Sequence, residues 1–219
     1  MPPTPGFRRS EPFLLGKVVE VAKKILLTGG AGYIGSELTR TLLARGFRVV
    51  VVDRFFFGRD KLPASRNELT LISKDVRRLT RADLDGVDCV IDMAAISNDP
   101  AGELDPQLTM DINLHARVRC AQLARDAGVG RYILPSSSSV YGQQDGLLTE
   151  SAAIKPRTTY AAANAAAEAG VLPLAADGFT VVAVRQATVF GASQPDAARS
   201  GRAPDGNPCG ASEGHSSAG

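Results

Sequence analysis

The sequence is poor in cysteine, in net charge and in long apolar runs. Its three cysteines, Cys89, Cys120 and Cys209, form neither a CxxC pair nor the spacing of a metal site. We therefore expect buried apolar thiols, no metal, and a reducing, cytoplasmic compartment as the default. The formal net charge of +2 comes with no basic stripe, which gives no basis for a nucleic-acid or membrane-surface partner. No stretch approaches the roughly 20 apolar residues of a membrane-spanning helix.

Three segments differ in composition. Residues 1–22 lack the apolar core of a signal peptide, and we interpret them as a flexible leader. Residues 23–191 carry a regular apolar pattern and form one candidate domain. Residues 192–219 contain no Leu, Ile, Val, Met, Phe, Tyr or Trp, which is too little apolar surface to offset chain entropy, so we predict a disordered tail. The abrupt change suggests a chain that is cut off, or read in another frame, at that point.

Continuous apolar runs alternate with helical patterns through the candidate domain. A strand that is apolar throughout is typical of burial on both faces, and such strands separated by helices predict a parallel sheet. Apolar residues at helical spacing, or a run of alanines, predict helices at 33–46, 106–128 and 158–172. We predict a doubly wound α/β (Rossmann) sheet with strand order 3-2-1-4-5-6. The six strand runs are 24–30, 47–53, 68–75, 87–95, 131–139 and 179–185.

The stretch TGGAGYIG lies between the first strand and the first helix. Gly29 permits the tight turn, Gly32 lets a pyrophosphate approach the backbone, and Gly35 lets helix and strand pack closely. The helix N-terminus adds free N–H groups and a partial positive charge. Asp53 ends the second strand about 20 residues on, where a carboxylate accepts hydrogen bonds from the adenosine ribose and repels a 2′-phosphate. The pattern predicts NAD, while Arg54 keeps NADP open as an alternative.

Further motifs follow in order along the chain. They are KDV at 74–76, DMAAIS at 92–97, DINLHA at 111–116, SSSSVYG at 136–142, Tyr160 in its helix and RQATVFG at 185–191. With the glycine loop and its acid, this series resembles the extended short-chain dehydrogenase/reductases of the NAD-dependent epimerase/dehydratase family, which act on nucleotide sugars. Family members continue into a smaller C-terminal domain that grips the nucleotide sugar, and this sequence shows no matching segment after residue 191.

The resemblance implies a role for each matching position. Residues 33–34 would lie along the pyrophosphate, residues 75–76 would flank the adenine, and residues 94–95 would line the inner half of the cofactor. Asn113 would order the central helix and the cofactor loop, although a polar residue on the helix surface stays open as an alternative. The implied cofactor-binding residues are Gly29, Gly32, Tyr33, Ile34, Gly35, Asp53, Arg54, Asp75, Val76, Ala94, Ala95, Asn113, Tyr160 and Asn164.

The resemblance also implies catalytic roles for Ser137, Tyr160 and Asn164. Ser137 would hydrogen-bond the reacting oxygen of the substrate, unless the serine run is only a polar turn. Tyr160 would be the acid/base that moves the proton while a hydride passes to or from nicotinamide. The acids between residues 99 and 105 are interpreted as solvated turns and caps.

Asn164 stands four residues after Tyr160, on the same helix face, where the family has a lysine. That lysine hydrogen-bonds the nicotinamide ribose, and its charge favours the ionised tyrosine. An amide donates and accepts hydrogen bonds but carries no charge. We therefore expect cofactor binding to be retained and the acid/base step to lose roughly 10²–10⁴ in rate.

Three functions stay open at this stage. The first is an NAD-dependent epimerase/dehydratase of a nucleotide sugar, impaired by Asn164 and by the missing C-terminal segment. The second is a non-catalytic NAD(P)-binding module, either a sensor or a truncated product. The third is an oxidoreductase that releases NADH at each turn. A homodimer through helices 106–128 and 158–172 is a further hypothesis.

Overall fold

Six parallel strands form one sheet with the order β3-β2-β1-β4-β5-β6, which confirms the predicted fold class and strand order. The computed structural model describes residues 24–64 and 67–191, so the predicted leader, the predicted tail and Cys209 lie outside the described residues. The strands are β1 (Lys24–Thr28), β2 (Arg48–Asp53), β3 (Leu69–Ser73), β4 (Cys89–Asp92), β5 (Arg131–Ser137) and β6 (Thr180–Gln186).

Helices connect the strands on both sides of the sheet. The predicted helix 106–128 is present, but a π-helical segment at Asp111–Ala116 interrupts it, and a short helix over residues 99–104 precedes it where solvated turns were expected. Asn98 caps that short helix by accepting a hydrogen bond from Ala101 N at 2.9 Å. The helices are α1 (Tyr33–Ala44), α2 (Asp99–Leu104), α3 (Pro106–Met110), α4 (Arg117–Asp126) and α5 (Thr159–Val171).

Alternate side chains of β1 enter two different apolar layers. Ile25 and Leu27 pack on the face that carries Leu42 of α1. Leu26 packs on the opposite face with Cys120 of α4 and with residues of α5. This alternation is the two-residue period of a strand, and it explains why β1 reads as apolar at every position.

The edge strand β6 departs from the expectation of a sheet covered on both faces. Val182 and Val184 are 40% and 43% exposed, whereas Val181 and Ala183, which point the other way, pack on the main core. The outward side of β6 is therefore not covered by the part of the chain that the structure describes.

The alanine-rich sequence of α5 lets this helix approach its neighbour closely. Ala161, Ala163 and Ala167 are buried. A Cβ on Gly170 would come within 2.6 Å of a Val118 methyl carbon on α4. Small residues on this face of α5 therefore set the distance between α4 and α5.

Close packing at the glycine loop gives a test of the fold. A Cβ on Gly35 would lie 2.2 Å from the carbonyl oxygen of Gly29 and 2.8 Å from Gly30 Cα, so backbone would have to move. We expect Gly35→Ala to lower the free energy of unfolding by about 1–3 kcal/mol or more, measured by urea denaturation.

Gly130→Ala is the matched control for this substitution. A Cβ there would meet nothing nearer than 3.6 Å, so we expect a change within about 0.5 kcal/mol. Equal losses for the two variants would contradict the close approach of backbone at Gly35.

Candidate active site

The glycine loop forms an open cradle between β1 and α1. Gly29 adopts φ +65° and donates a hydrogen bond to Val52 O at 2.9 Å. Gly32 is the N-cap of α1, and no side chain caps the first turn of the helix. A Cβ on Gly32 would meet only Gly29 O, at 3.2 Å, so the outer side of the loop is free of protein. Such an uncapped, sterically open helix N-terminus fits a pyrophosphate.

Asp53 holds the glycine loop in place from the end of β2. One carboxylate oxygen accepts a hydrogen bond from Ala31 N at 3.0 Å, and the other accepts one from Phe55 N at 2.8 Å. Each carboxylate oxygen can accept a second hydrogen bond. The side chain that the sequence predicts as the ribose acceptor therefore lies beside the cradle and keeps free acceptor sites.

Asp75 joins the two arginines that follow β2 and β3. It caps the turn at Val76–Arg78 through Arg77 N at 2.9 Å. The Arg77 side chain donates to it at 2.7 Å, and Arg54 lies 3.4 Å away. The hydrogen bond from the Arg77 guanidinium is the main reason that the pKa of Asp75 falls to about 2. Arg54 is thus a half-exposed second cation beside Asp75.

The loop after β4 is fixed by two buried side chains. Thr28 Oγ1 accepts a hydrogen bond from Ala94 N at 2.9 Å and donates one to Asp92 at 2.5 Å. Asn113 accepts from Ile96 N and donates to Ile96 O, both at 2.9 Å. Because Asn113 is fully buried in the π-helical segment, the surface alternative for this residue is wrong. Its contact with a cofactor stays a prediction.

The carboxyl end of β5 leads into the predicted catalytic turn. Ser137 Oγ accepts a hydrogen bond from Ser139 N at 3.1 Å and lies 3.0 Å from Ser139 Oγ. It therefore caps the 3-10 turn at Ser138–Tyr141, as the polar-turn alternative requires. Helix α5, whose first turn carries Tyr160, packs against this turn.

Carboxylates of α2 hold the N-terminus of α5. Thr158 donates to Asp99 Oδ1 at 2.5 Å, and Thr159 N donates to Glu103 at 2.6 Å. Negative charge at a helix N-terminus is favourable. The sequence favours solvated turns and caps for these acids. Asp99 and Glu103 act as caps, because they accept hydrogen bonds at the start of α5 and fix the turn that carries Tyr160.

The side chain of Asn164 points into the protein. It is 1% exposed, its Oδ1 accepts a hydrogen bond from Arg117 Nη1 at 2.6 Å, and its Nδ2 donates to Tyr160 O at 2.8 Å. Both ends of the amide are therefore engaged by the protein. The expected hydrogen bond from Asn164 to a nicotinamide ribose has no support in this geometry and stays a prediction.

Sequence reasoning did not single out Asp92, Tyr132 or Arg117, which form a buried polar cluster. Tyr132 Oη lies 2.5 Å from Asp92 Oδ2 and 3.0 Å from the carbonyl oxygen of Arg117. Burial raises the pKa of Asp92, and the charge of Arg117 opposes that rise. Ionisable residues inside the apolar pattern of a strand and a helix were the available signal for this cluster.

A second buried cluster joins β5, α5 and β6. Glu168 is 3% exposed and accepts hydrogen bonds from Ser136 Oγ at 2.5 Å and from Arg185 Nη2 at 2.7 Å. Arg185 also donates to Tyr141 Oη at 3.0 Å. These contacts fix the end of β5 relative to α5, and hence Ser137 relative to Tyr160.

The predicted cofactor residues share the carboxyl edge of the sheet. Apart from Asn113, Tyr160 and Asn164, which lie on helical segments, they lie at the ends of β1 to β4 or in the segments that directly follow, where open α/β sheets bind ligands. The segment after β6 also returns to this edge, because Tyr33 Oη donates a hydrogen bond to Gly191 O. Ile34, Ala94 and Ala95 are half-buried there and Val76 is buried.

Comparisons with known proteins agree with this arrangement. Residues 25–206 match the family model described as the NAD dependent epimerase/dehydratase family. The UDP-glucose 4-epimerase of Streptomyces lividans is 30% identical over 177 residues, which cover 78% of this chain and 54% of the relative. The UDP-glucuronic acid decarboxylase 1 of Danio rerio is 34% identical over 126 residues, which cover 56% of this chain and 29% of the relative. The chain thus spans about half, or less, of the length of these curated relatives.

Solved structures resemble the chain at levels of sequence identity similar to those of the curated relatives. The dTDP-glucose 4,6-dehydratase from Streptomyces venezuelae, solved with NAD bound, is 31% identical with a TM-score of 0.68, covering 74% of this chain and 55% of that one. The UDP-N-acetylglucosamine 4-epimerase from Methanobrevibacter ruminantium M1 is 27% identical with a TM-score of 0.74, covering 81% and 58%. Within the described residues, no helix is long and apolar enough to cross a membrane and no metal-binding group of side chains is found.

The ion pair at Asp75 gives a pH test of the site. A carboxyl group whose folded pKa is about 2 adds stability above its unfolded pKa near 3.9, and that stability is lost as the pH falls toward the folded value. We expect Arg77→Met to raise the pKa of Asp75 toward its ordinary range. NMR titration of the labelled carboxyl carbon measures the change.

Arg78→Met is the control, because Arg78 is not among the groups that lower the pKa of Asp75. We expect it to leave the titration of Asp75 unchanged. A pKa of Asp75 near its ordinary value in the unmodified chain would contradict the ion pair.

Proposed function

This chain belongs to the NAD dependent epimerase/dehydratase family, and from that membership we propose that it binds NAD at the carboxyl edge of its sheet and serves reversible oxidation of a nucleotide sugar. The single observation that carries the proposal is the uncapped, sterically open N-terminus of α1 behind Gly32. The N–H groups of its first turn would bind the pyrophosphate. We assign this role to residues 23–191 as one domain.

The choice of NAD over NADP follows from charge at the end of β2. The Asp53 carboxylate, anchored by Ala31 N at 3.0 Å, would accept hydrogen bonds from the adenosine ribose and would repel a 2′-phosphate. Arg54, which could offset that repulsion, is paired with Asp75 at 3.4 Å. These contacts support NAD as the cofactor of this chain.

The chemistry would take place between the turn after β5 and the first turn of α5. Bound NAD would accept a hydride from a carbon of the sugar and return it. Tyr160 would take the proton from the hydroxyl on that carbon as the hydride leaves, and give it back when the hydride returns. Ser137 would donate a hydrogen bond to the same oxygen. The hydrogen bond from Thr159 N to the Glu103 carboxylate, at 2.6 Å, supports a fixed position for Tyr160.

The substrate class rests on the relatives. The solved neighbours include enzymes named for dTDP-glucose and UDP-N-acetylglucosamine, so we propose a nucleoside-diphosphate sugar. The chain spans about half the length of these neighbours. Binding energy from the nucleotide part of such a substrate helps to position the reacting sugar.

A non-catalytic NAD-binding module is the second candidate function. The observation that favours it is the burial of Asn164, whose amide is bonded to Arg117 at 2.6 Å and offers no charge beside Tyr160. Analysis of the nucleotide sugar after incubation with the NAD-loaded chain distinguishes the two functions. Conversion of the sugar favours the enzyme, and binding of NAD without any conversion of the sugar favours the module. We also propose a homodimer, which sedimentation would test by the mass of the particle in solution, and a cytoplasmic location.

Calorimetric titration with NAD tests the cradle directly. We expect the unmodified chain to bind NAD, and Gly32→Ala to weaken that binding by about tenfold or more, because a methyl group would stand where the pyrophosphate approaches. Its stability should fall less than that of Gly35→Ala, since a Cβ at Gly32 lies 3.2 Å from Gly29 O whereas one at Gly35 lies 2.2 Å from it. Gly130→Ala is the control and should bind NAD normally. Equal affinity in all three proteins would place the pyrophosphate elsewhere.

The same titration with NADP tests the role of Asp53. Asp53→Asn removes the charge but keeps an oxygen that can accept the hydrogen bond from Ala31 N. We expect the preference for NAD over NADP to narrow by about tenfold, because the repulsion of the 2′-phosphate is lost. Asp60→Asn, an exposed neighbour in the same loop, is the control. An unchanged preference in Asp53→Asn would show that Asp53 does not face the ribose.

A further inference from the structure

A buried cation lies beside position 164, where the family resemblance leads one to expect a lysine. Arg117 is 2% exposed, and its Nη1 donates to Asn164 Oδ1 at 2.6 Å. An arginine side chain keeps its positive charge at every pH at which the protein is folded. A positive charge is therefore present at this helix contact although residue 164 itself is neutral.

No carboxylate lies in direct contact with the guanidinium of Arg117 in the part of the chain that the structure describes. Among the described residues, none of the ion pairs within 4.0 Å involves Arg117, and its Nε has no hydrogen-bond partner. Asp92 is the carboxyl group that senses this charge. The oxygens of Asp92, however, are bonded to the hydroxyls of Thr28 and Tyr132, both at 2.5 Å. The hydrogen-bond acceptor for the guanidinium is the neutral amide of Asn164.

This arrangement leaves no room for a second cation. The side chain of Asn164 already contacts Arg117 at 2.6 Å. A lysine at the same position has a longer side chain and would bring its ammonium group near the guanidinium. Two positive charges at such a short distance repel each other strongly, because the site is almost completely buried. An amide is suited to the position because its oxygen accepts from Arg117 while its nitrogen donates to Tyr160 O at 2.8 Å.

We propose that Arg117 is a positioning residue that carries the positive charge of this site, and that residues 117 and 164 form one unit in which only one member is a cation. The proposal rests on the proposed binding of NAD. Arg117 acts through Asn164, whose hydrogen bond to Tyr160 O braces the first turn of α5. Its charge also disfavours the positively charged oxidised nicotinamide relative to the neutral reduced ring, if that ring lies beside Tyr160.

A stability cycle tests the unit without any cofactor. The variants are Asn164→Lys, Arg117→Met and the double change, with Asn164→Met as a control of similar length and no charge. We expect Asn164→Lys to raise the unfolding equilibrium constant at least about tenfold more than Asn164→Met does. In the Arg117→Met background we expect this excess to disappear. Equal effects of lysine and methionine in the unmodified background would overturn the proposal.

Relative affinity for NADH and NAD tests the positioning role. We expect Arg117→Met to lower the ratio of NADH affinity to NAD affinity by about three- to tenfold, and Arg117→Lys to preserve the ratio. A residue that only supports the fold would change both affinities by the same factor, and that result would overturn the positioning role. If no variant binds either dinucleotide, the proposed function fails, while the stability cycle still decides whether residues 117 and 164 are coupled.

Discussion

The close approach of three backbone segments at the end of β1 is the constraint on which the site depends. Gly29 turns the chain with φ +65° directly against the backbone of Ala94, and Gly35 lies on the carbonyl of Gly29. A side chain at Gly29 would collide with the backbone of the segment after β4, and a side chain at Gly35 would push α1 away from the end of β1. Because they are absent, the N-terminus of α1 stands open beside Asp53 and next to the loop after β4. The cradle is therefore a product of backbone packing, and the side chains of Asp53 and Thr28 hold its segments in place by hydrogen bonds.

Buried hydrogen bonds connect this cradle to the helix that carries the proposed acid/base. Thr28 bonds both Ala94 N and Asp92. Asp92 also meets the Tyr132 hydroxyl, which lies 3.0 Å from the carbonyl of Arg117, and the Arg117 side chain reaches α5. Such a network is stable only when its members are satisfied together. Protonation of Asp92 would therefore alter the hydrogen bonds at both ends of the network, at the loop after β4 and at Arg117.

Local pattern predicted most of the fold, because each buried strand and each helix is encoded by neighbours in sequence. The strand order was predicted from the alternation of six strands with helices, which is typical of the doubly wound fold, and the glycine cradle was predicted from the glycine spacing. The contact between Arg117 and Asn164 joins residues 47 positions apart, and no local period encodes it. For the same reason the sequence indicated turns and caps among the acids at 99–105, but not that Glu103 contacts the start of α5. The sequence thus indicated which residues meet the cradle, but not which side chains turn inward.

A crystal structure of the chain with NAD is the measurement that tests the central claim most directly. We expect the pyrophosphate to lie over the N–H groups at the start of α1, against Gly32, with a ribose hydroxyl within hydrogen-bond distance of the Asp53 carboxylate. We also expect Asn164 to stay bonded to Arg117. A pyrophosphate bound away from α1, or NAD found at another edge of the sheet, would contradict the claim that the open N-terminus of α1 is the cofactor site.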